Sequence, residues 1–265
     1  MHKPFDRVRL EERGNVAIVT LNHPEVMNAL SPRMADGLIA ALAFASDAAN
    51  GFRAIVLTGE GRAFCSGANL AEASSAQAGL SDAGRHLGEH YHPLLRTIRD
   101  LERPLLIAIN GAAAGIGMSI ALTGDLILAG RSAFFVQAFM RIGLVPDGGS
   151  TWLLPRLIGL ARARELSLLG ERLPAETALQ WGLINRVCDD RILLEQAVAL
   201  AERVAAGPAL ALAETRRLYW ASPQNSYEAQ LELERDAQQR AGSTEDFREG
   251  LCAFVEKRPP RFGGP

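Results

Sequence analysis

Apolar and polar positions run along the chain in two rhythms. Short apolar runs at Val8 to Leu10 and Val16 to Leu21, with Arg13-Gly14-Asn15 as the turn, predict a pair of strands. Ser31 then offers an N-cap and Pro32 a first helical residue, and Met34, Leu38, Ile39 and Leu42 repeat at helical spacing. Ala54 to Thr58 reads as a strand closed by Gly59-Glu60-Gly61, followed by a loop to Asn69. Leu70 to Gly84 is polar and rich in Ala, Ser and Gly, and reads as the most mobile segment. A helix is predicted from about Arg85 to Leu101, ending before Pro104. Leu105 to Ile109 follows as a strand, Ala112 to Leu122 as an apolar helix, and Asp125 to Ala129 and Ala133 to Val136 as further strands. After Gly148 helix follows helix to about Lys257.

This pattern predicts an α/β core of repeated ββα units, although no sequence motif repeats. We expect a core domain over residues 1–200 and a helical region over residues 201–265. The apolar positions of that tail, Leu231, Leu233, Leu251, Phe254 and Val255, serve either a second layer on the core or an oligomer interface.

Composition narrows the class. Of 265 residues 48% are hydrophobic and 22% charged, enough for a sizeable core. A net charge of −2 gives no case for nucleic acid or an anionic membrane surface. Cys65, Cys188 and Cys252 form no pair motif, which points to a reducing, cytoplasmic setting. Neither a signal-peptide core nor an apolar run of membrane-spanning length is present in the sequence.

Two glycine-centred loops follow strands: Arg62-Ala63-Phe64-Cys65-Ser66-Gly67-Ala68-Asn69-Leu70, and Asn110-Gly111-Ala112-Ala113-Ala114-Gly115-Ile116-Gly117. Glycine lets a ligand approach peptide N–H groups, and a helix N-terminus leaves such groups unpaired. Two of them converging on one point would stabilise an oxyanion. The second loop fails the dinucleotide-binding fingerprint, because Ile120 stands where the third glycine belongs. In Pro146-Asp147-Gly148-Gly149, Asp147 is either a helix N-cap or a carboxylate base in an apolar cleft. His86-Leu87-Gly88-Glu89-His90 matches an inverted zinc-hydrolase pattern, against which stand the helix-weakening Gly88, the following His92-Pro93 and the need for a third ligand. Cys65 reads as a buried, inert thiol, since no partner motif accompanies it.

Taken in order and spacing, Phe64-Cys65-Ser66-Gly67-Ala68, the Asn110–Gly117 loop and Gly143-Leu144-Val145-Pro146-Asp147-Gly148-Gly149 resemble the crotonase (enoyl-CoA hydratase/isomerase) superfamily. The resemblance extends to Val19–Leu30 at one end and to Phe254–Phe262 at the other. It implies a crotonase fold and an oxyanion hole formed by the N–H groups of Ala68 and Ile116. It also implies coenzyme A along Val26, Met27 and Asn28 and along Ala68, Asn69 and Leu70, with Lys257 near the nucleotide phosphates. Further implications are an acyl-CoA thioester as substrate, no metal or redox cofactor, and a homotrimer or dimer of trimers. The family's hydratases carry two catalytic glutamates, at positions held here by Ser119 and Phe139. Asp147 instead matches the acidic position of a subset of the family's isomerases, including those that rearrange a ring epoxide. The resemblance therefore implies an acyl-CoA isomerase with Asp147 as the proton carrier. A hydratase using Asp147 alone and a coenzyme A-binding protein without catalysis remain as alternatives.

Overall fold

The computed structural model describes residues 2–70 and 82–263. Most of the Leu70–Gly84 segment expected to be mobile therefore lies outside the described residues. Strands β1 (His2–Phe5), β2 (Val8–Arg13) and β3 (Val16–Leu21) pair antiparallel in succession. Helix α1 (Pro32–Ser46) follows, started by the Ser31 hydroxyl, which accepts the Met34 N–H at 3.3 Å as the cap pattern predicts.

From there the chain winds as a spiral. Strand β4 (Ala54–Gly59) joins the first sheet and β5 (Ala63–Cys65) a second. A helical stretch, α2, comprises Ala83–His86, a π-turn Leu87–Tyr91 and His92–Arg99. The next turn places β6 (Leu105–Ile109) in the first sheet and β7 (Ala112–Ala114) in the second, followed by α3 (Ile116–Ala121), buried along its whole length. The third places β8 (Leu126–Gly130) and β9 (Phe134–Val136) likewise, before α4 (Ser150–Leu169). The seven-stranded sheet has the order β1-β2-β3-β4-β6-β8-β11, where β11 is Arg186–Cys188. The four-stranded sheet has the order β10-β9-β7-β5, where β10 is Leu173–Pro174 and leads directly into α5 (Ala175–Gln180). This is the expected α/β architecture of ββα repeats, with strands β4 to β9 dealt alternately to two sheets.

Alternation along β3 shows how the layers form. Ala17, Val19 and Leu21 face the main core, which also holds Leu38, Leu57 and Ile107. Val16 and Ile18 face the other way, onto helix α6 (Leu193–Ala205) through Ala197, Val198 and Ala201. The expected domain limit at residue 200 thus falls inside α6. Beyond it come α7 (Ala209–Ala221), α8 (Tyr227–Ala241) and α9 (Glu245–Glu256). Buried Arg216 ties α7 to the core: it donates to Asp125 at 2.7 Å and to the carbonyls of Ile98, Arg99 and Leu101 at 2.7–2.9 Å. Among the described residues no helix is long and apolar enough to cross a membrane.

Two expectations are corrected: the unbroken run of helices after Gly148, which β10 and β11 interrupt by pairing with β9 and β8, and the helix over 112–122. Ala112–Ala114 is strand, and only Ile116–Ala121 is helical. Alanine prefers helix, but three alanines between β5 and β9 gain ladder hydrogen bonds on both sides, and pairing overrides propensity. Gly115 then breaks the strand with φ 49° and ψ −127°, a conformation closed to residues with a Cβ, and starts α3 abruptly.

Candidate active site

The segment 26–30 is stitched to the first glycine loop. Ser66 N–H donates to Met27 C=O at 3.1 Å and Leu30 N–H to Gly67 C=O at 2.7 Å, while Leu30 C=O accepts Asn69 N–H at 2.8 Å. Leu30 and Ala68 form an isolated parallel bridge. Because Gly67 C=O and Asn69 N–H both point at Leu30, the Ala68 N–H between them points away. Among the described residues it makes no backbone hydrogen bond. Buried Tyr91, from the π-turn, adds a hydroxyl donor to the Leu30 carbonyl at 3.0 Å. Ile116 is the first residue of α3, so its N–H has no acceptor within the helix.

The two loops meet. Gly67 Cα lies 3.8 Å from where a Cβ on Gly115 would stand. Both N–H groups expected to form the oxyanion hole are thus on adjoining backbone, each without a backbone acceptor among the described residues.

The third loop closes over the same corner. A Cβ on Gly148 would stand 2.5 Å from Ile116 Cδ1 and 2.6 Å from Ser119 Cβ, so only glycine lets the Asp147–Gly148 turn rest on the first turn of α3. Asp147 is not a helix cap. The N-cap of α4 is Gly149, with no side-chain capping bond. Instead the Asp147 main-chain carbonyl accepts the Ser150 N–H at 3.1 Å, the Ser150 hydroxyl at 2.8 Å and the Ser119 hydroxyl at 2.9 Å. Its Oδ1 is buried and, among the described residues, has no hydrogen-bond partner. Burial raises the Asp147 carboxyl from its ordinary 3.8 to about 6, with no neighbouring charge contributing. A carboxyl titrating there can take and return a proton near neutrality.

Val26, Met27 and Leu70 are exposed apolar residues beside the Ala68 loop. Asn69 is buried next to Ala68. The Asn28 side chain is buried and committed internally: it accepts the His23 N–H and donates to the carbonyls of Glu60 and Ala63. Asn28 therefore shapes the segment from beneath, and positive φ at both Met27 and Asn28 turns the chain there. Lys257 ends α9, and its N–H donates back to the Phe254 carbonyl of that helix at 3.3 Å. Phe139, at a position where the resemblance places a glutamate, is buried, with its ring tip 3.7 Å from the Cβ position of Gly115. The two histidines of the zinc-like pattern pack on each other at 4.9 Å between ring centroids, and His86 packs on Tyr91 at 5.0 Å. Burial lowers the His86 pKa. Among the described residues no group of three His, Cys, Asp or Glu is placed to hold a metal ion. Cys65 is buried, and desolvation pushes its thiol up to about 11.

Sequence reasoning did not find the cleft beyond Gly148 and Gly149. About 310 Å3 in volume, it lies between α2, α4 and α7, against Leu95, Trp152, Leu153 and Trp220. The two tryptophan rings stack at 5.9 Å, within 7° of parallel. Trp220 comes from the helical tail, so that region helps to build this cleft.

Comparison with known proteins gives the family. Residues 11–265 match the enoyl-CoA hydratase/isomerase family, and the chain belongs to it. A Rhodobacter capsulatus protein named "Probable enoyl-CoA hydratase" is 45% identical over 98% of this chain and 99% of its own. The 1,2-epoxyphenylacetyl-CoA isomerase of Escherichia coli K12 is 42% identical over 96% of each chain. The crystal structure of an enoyl-CoA hydratase from Polaromonas sp. JS666 superposes with a TM-score of 0.91 at 34% identity, covering 97% of this chain and 99% of that one.

Proposed function

We propose that the protein is an acyl-CoA isomerase that moves a proton, and with it a double bond, within a coenzyme A thioester. The observation that carries this reading is Asp147. It is the acidic side chain that the three loops bring to the corner, its burial sets its pKa at about 6, and Ser119 and Phe139 supply no second carboxylate there. In a 3-enoyl thioester the Asp147 carboxylate takes a proton from the carbon next to the carbonyl. Electrons flow to the thioester oxygen, where the N–H groups of Ala68 and Ile116 hold the resulting dienolate. Asp147, now a carboxylic acid, returns the proton to the far carbon, and the double bond rests next to the carbonyl. The step balances without an oxidant, a metal or a separate cofactor.

A ring-bearing acyl group is favoured by the stacked Trp152–Trp220 pair walling the cleft beside Gly148 and Gly149. Rearrangement of a ring epoxide, as the name of the Escherichia coli relative describes, is therefore a second reading. The proposal includes assembly into trimers, supported by the exposed apolar face Phe247, Leu251, Phe254 and Val255 of α9. The test is a panel of coenzyme A thioesters in which isomerisation of 3-enoyl-CoA and hydration of 2-enoyl-CoA are followed separately. Isomerisation outrunning hydration is expected. Hydration alone would replace this reading with a single-aspartate hydratase, and binding without turnover with a coenzyme A-binding protein.

A further inference from the structure

We infer that Ser119 and Ser150 are positioning residues for Asp147, clamping it by its main-chain carbonyl so that the carboxyl is held in place without being hydrogen-bonded. This inference rests on the reading of Asp147 as the proton carrier.

The arrangement is unusual in where the donors go. Two buried serine hydroxyls and one N–H converge on the Asp147 carbonyl at 2.8–3.1 Å, although a peptide carbonyl has only two lone pairs. The Ser119 hydroxyl comes from α3 and the Ser150 hydroxyl from α4, so the clamp joins the helix carrying Ile116 to the helix that follows Asp147. Buried Gln137 lies 3.5 Å from the Ser150 hydroxyl and donates to Met118 of α3 at 3.3 Å, which backs the clamp from behind. Meanwhile Asp147 Oδ1, itself buried, has no hydrogen-bond partner among the described residues.

The chemistry follows from that division. A hydroxyl bonded to the carboxylate would stabilise its charged form and pull the pKa down. The same hydroxyl bonded to the main chain fixes the Cα of Asp147 and leaves the carboxyl governed by burial. The residues packed against the turn, Ile116 and Ser119 from α3 and Ser150 from α4, carry no charge. His92, Arg96 and Arg99 of the adjoining cleft contribute nothing to the rise at Asp147. Loss of the clamp therefore frees the turn, admits water to the carboxyl and lets its pKa fall. It also misplaces the base, and displacement of about 1 Å costs up to about a hundredfold in rate.

The test compares Ser119→Ala, Ser150→Ala, the double variant and the hydroxyl-retaining Ser150→Thr, with Asp147→Asn as reference. The probe is conversion of 3-hexenoyl-CoA to 2-hexenoyl-CoA, followed as kcat and KM against pH, with thermal unfolding alongside. Each alanine variant is expected to lower kcat about tenfold or more with KM little changed, and to move the acid limb of the profile down from about pH 6 toward 4. Ser150→Thr should restore both. If kcat and the acid limb hold in the double variant while Asp147→Asn is inactive, the clamp is overturned and the base stands. If kcat falls only in step with melting temperature and the limb does not move, the serines are mere braces, and the inference is overturned likewise. Full turnover by Asp147→Asn would remove the base and the clamp together.

Discussion

Two aspartates whose pKa values are raised by desolvation sit in this molecule on opposite terms. Asp125 accepts the Arg216 guanidinium and the Leu105 N–H, each at 2.7 Å. Burial pushes its pKa up, while Arg216 and the N–H pull it back. Asp147 has a buried carboxyl oxygen with no partner among the described residues, and burial acts on it unopposed. The satisfied carboxylate joins α7 to the core. The unsatisfied one lies where the three glycine loops meet. A fold keeps an uncompensated carboxyl at a cost, and the place where it does so is where proton chemistry is best sought.

The contrast can be tested first on the clasp. Arg216→Ala takes the buried guanidinium away from Asp125 and from the carbonyls of Ile98, Arg99 and Leu101, and should cost about 3 kcal/mol in urea unfolding. A loss under about 1 kcal/mol would show that the clasp is not structural. The variant should leave the acid limb of the activity profile in place, because Arg216 does not act on Asp147.

The second prediction concerns stability against pH. The folded-state pKa of Asp147 is raised, so its contribution is fully present below about pH 4 and is lost as pH rises through about 6. A rise from 3.8 to about 6 is worth about 3 kcal/mol at most. Asp147→Asn should therefore be more stable than the parent at pH 8, by up to that amount, and no more stable at about pH 4. Equal stability at both pH values would mean that the carboxyl is not strained by burial.

The smallest effect is expected at Ile116, which serves the site through its N–H alone. Ile116→Val should cost about 0.5–1.5 kcal/mol of stability, and turnover should persist because the donor is retained. A collapse of turnover at full thioester binding would show that the Ile116 side chain, too, takes part.

The sequence showed most of the large sheet, β1 and β11 excepted, but of the small sheet only β9. Val16–Leu21, Ala54–Gly59 and Leu105–Ile109 are five- or six-residue apolar runs with clear limits. Ala63–Cys65 and Ala112–Ala114 are three residues each, too short to carry a period, and exist as strands through their partners. The glycine loops were legible as chemistry because Gly67 and Gly115 mark sharp backbone turns whatever the length of the strands before them. The sequence left Asp147 between cap and base, and only the structure shows Gly149 in the capping place. Ser119 read as a missing acid. Its bond to a carbonyl 28 residues away has no local signature, and neither does the cleft that Trp220 reaches from the tail.

If Asp147 carries the proton, Asp147→Asn abolishes the transfer. The substitution keeps shape and the clamped main chain, and removes the base. Isomerisation of a 3-enoyl-CoA should fall by about a hundredfold to ten-thousandfold. Calorimetric binding of the thioester should survive, because the proposed oxyanion donors of Ala68 and Ile116 are backbone N–H groups. Near-parental turnover by Asp147→Asn would mean that another group carries the proton.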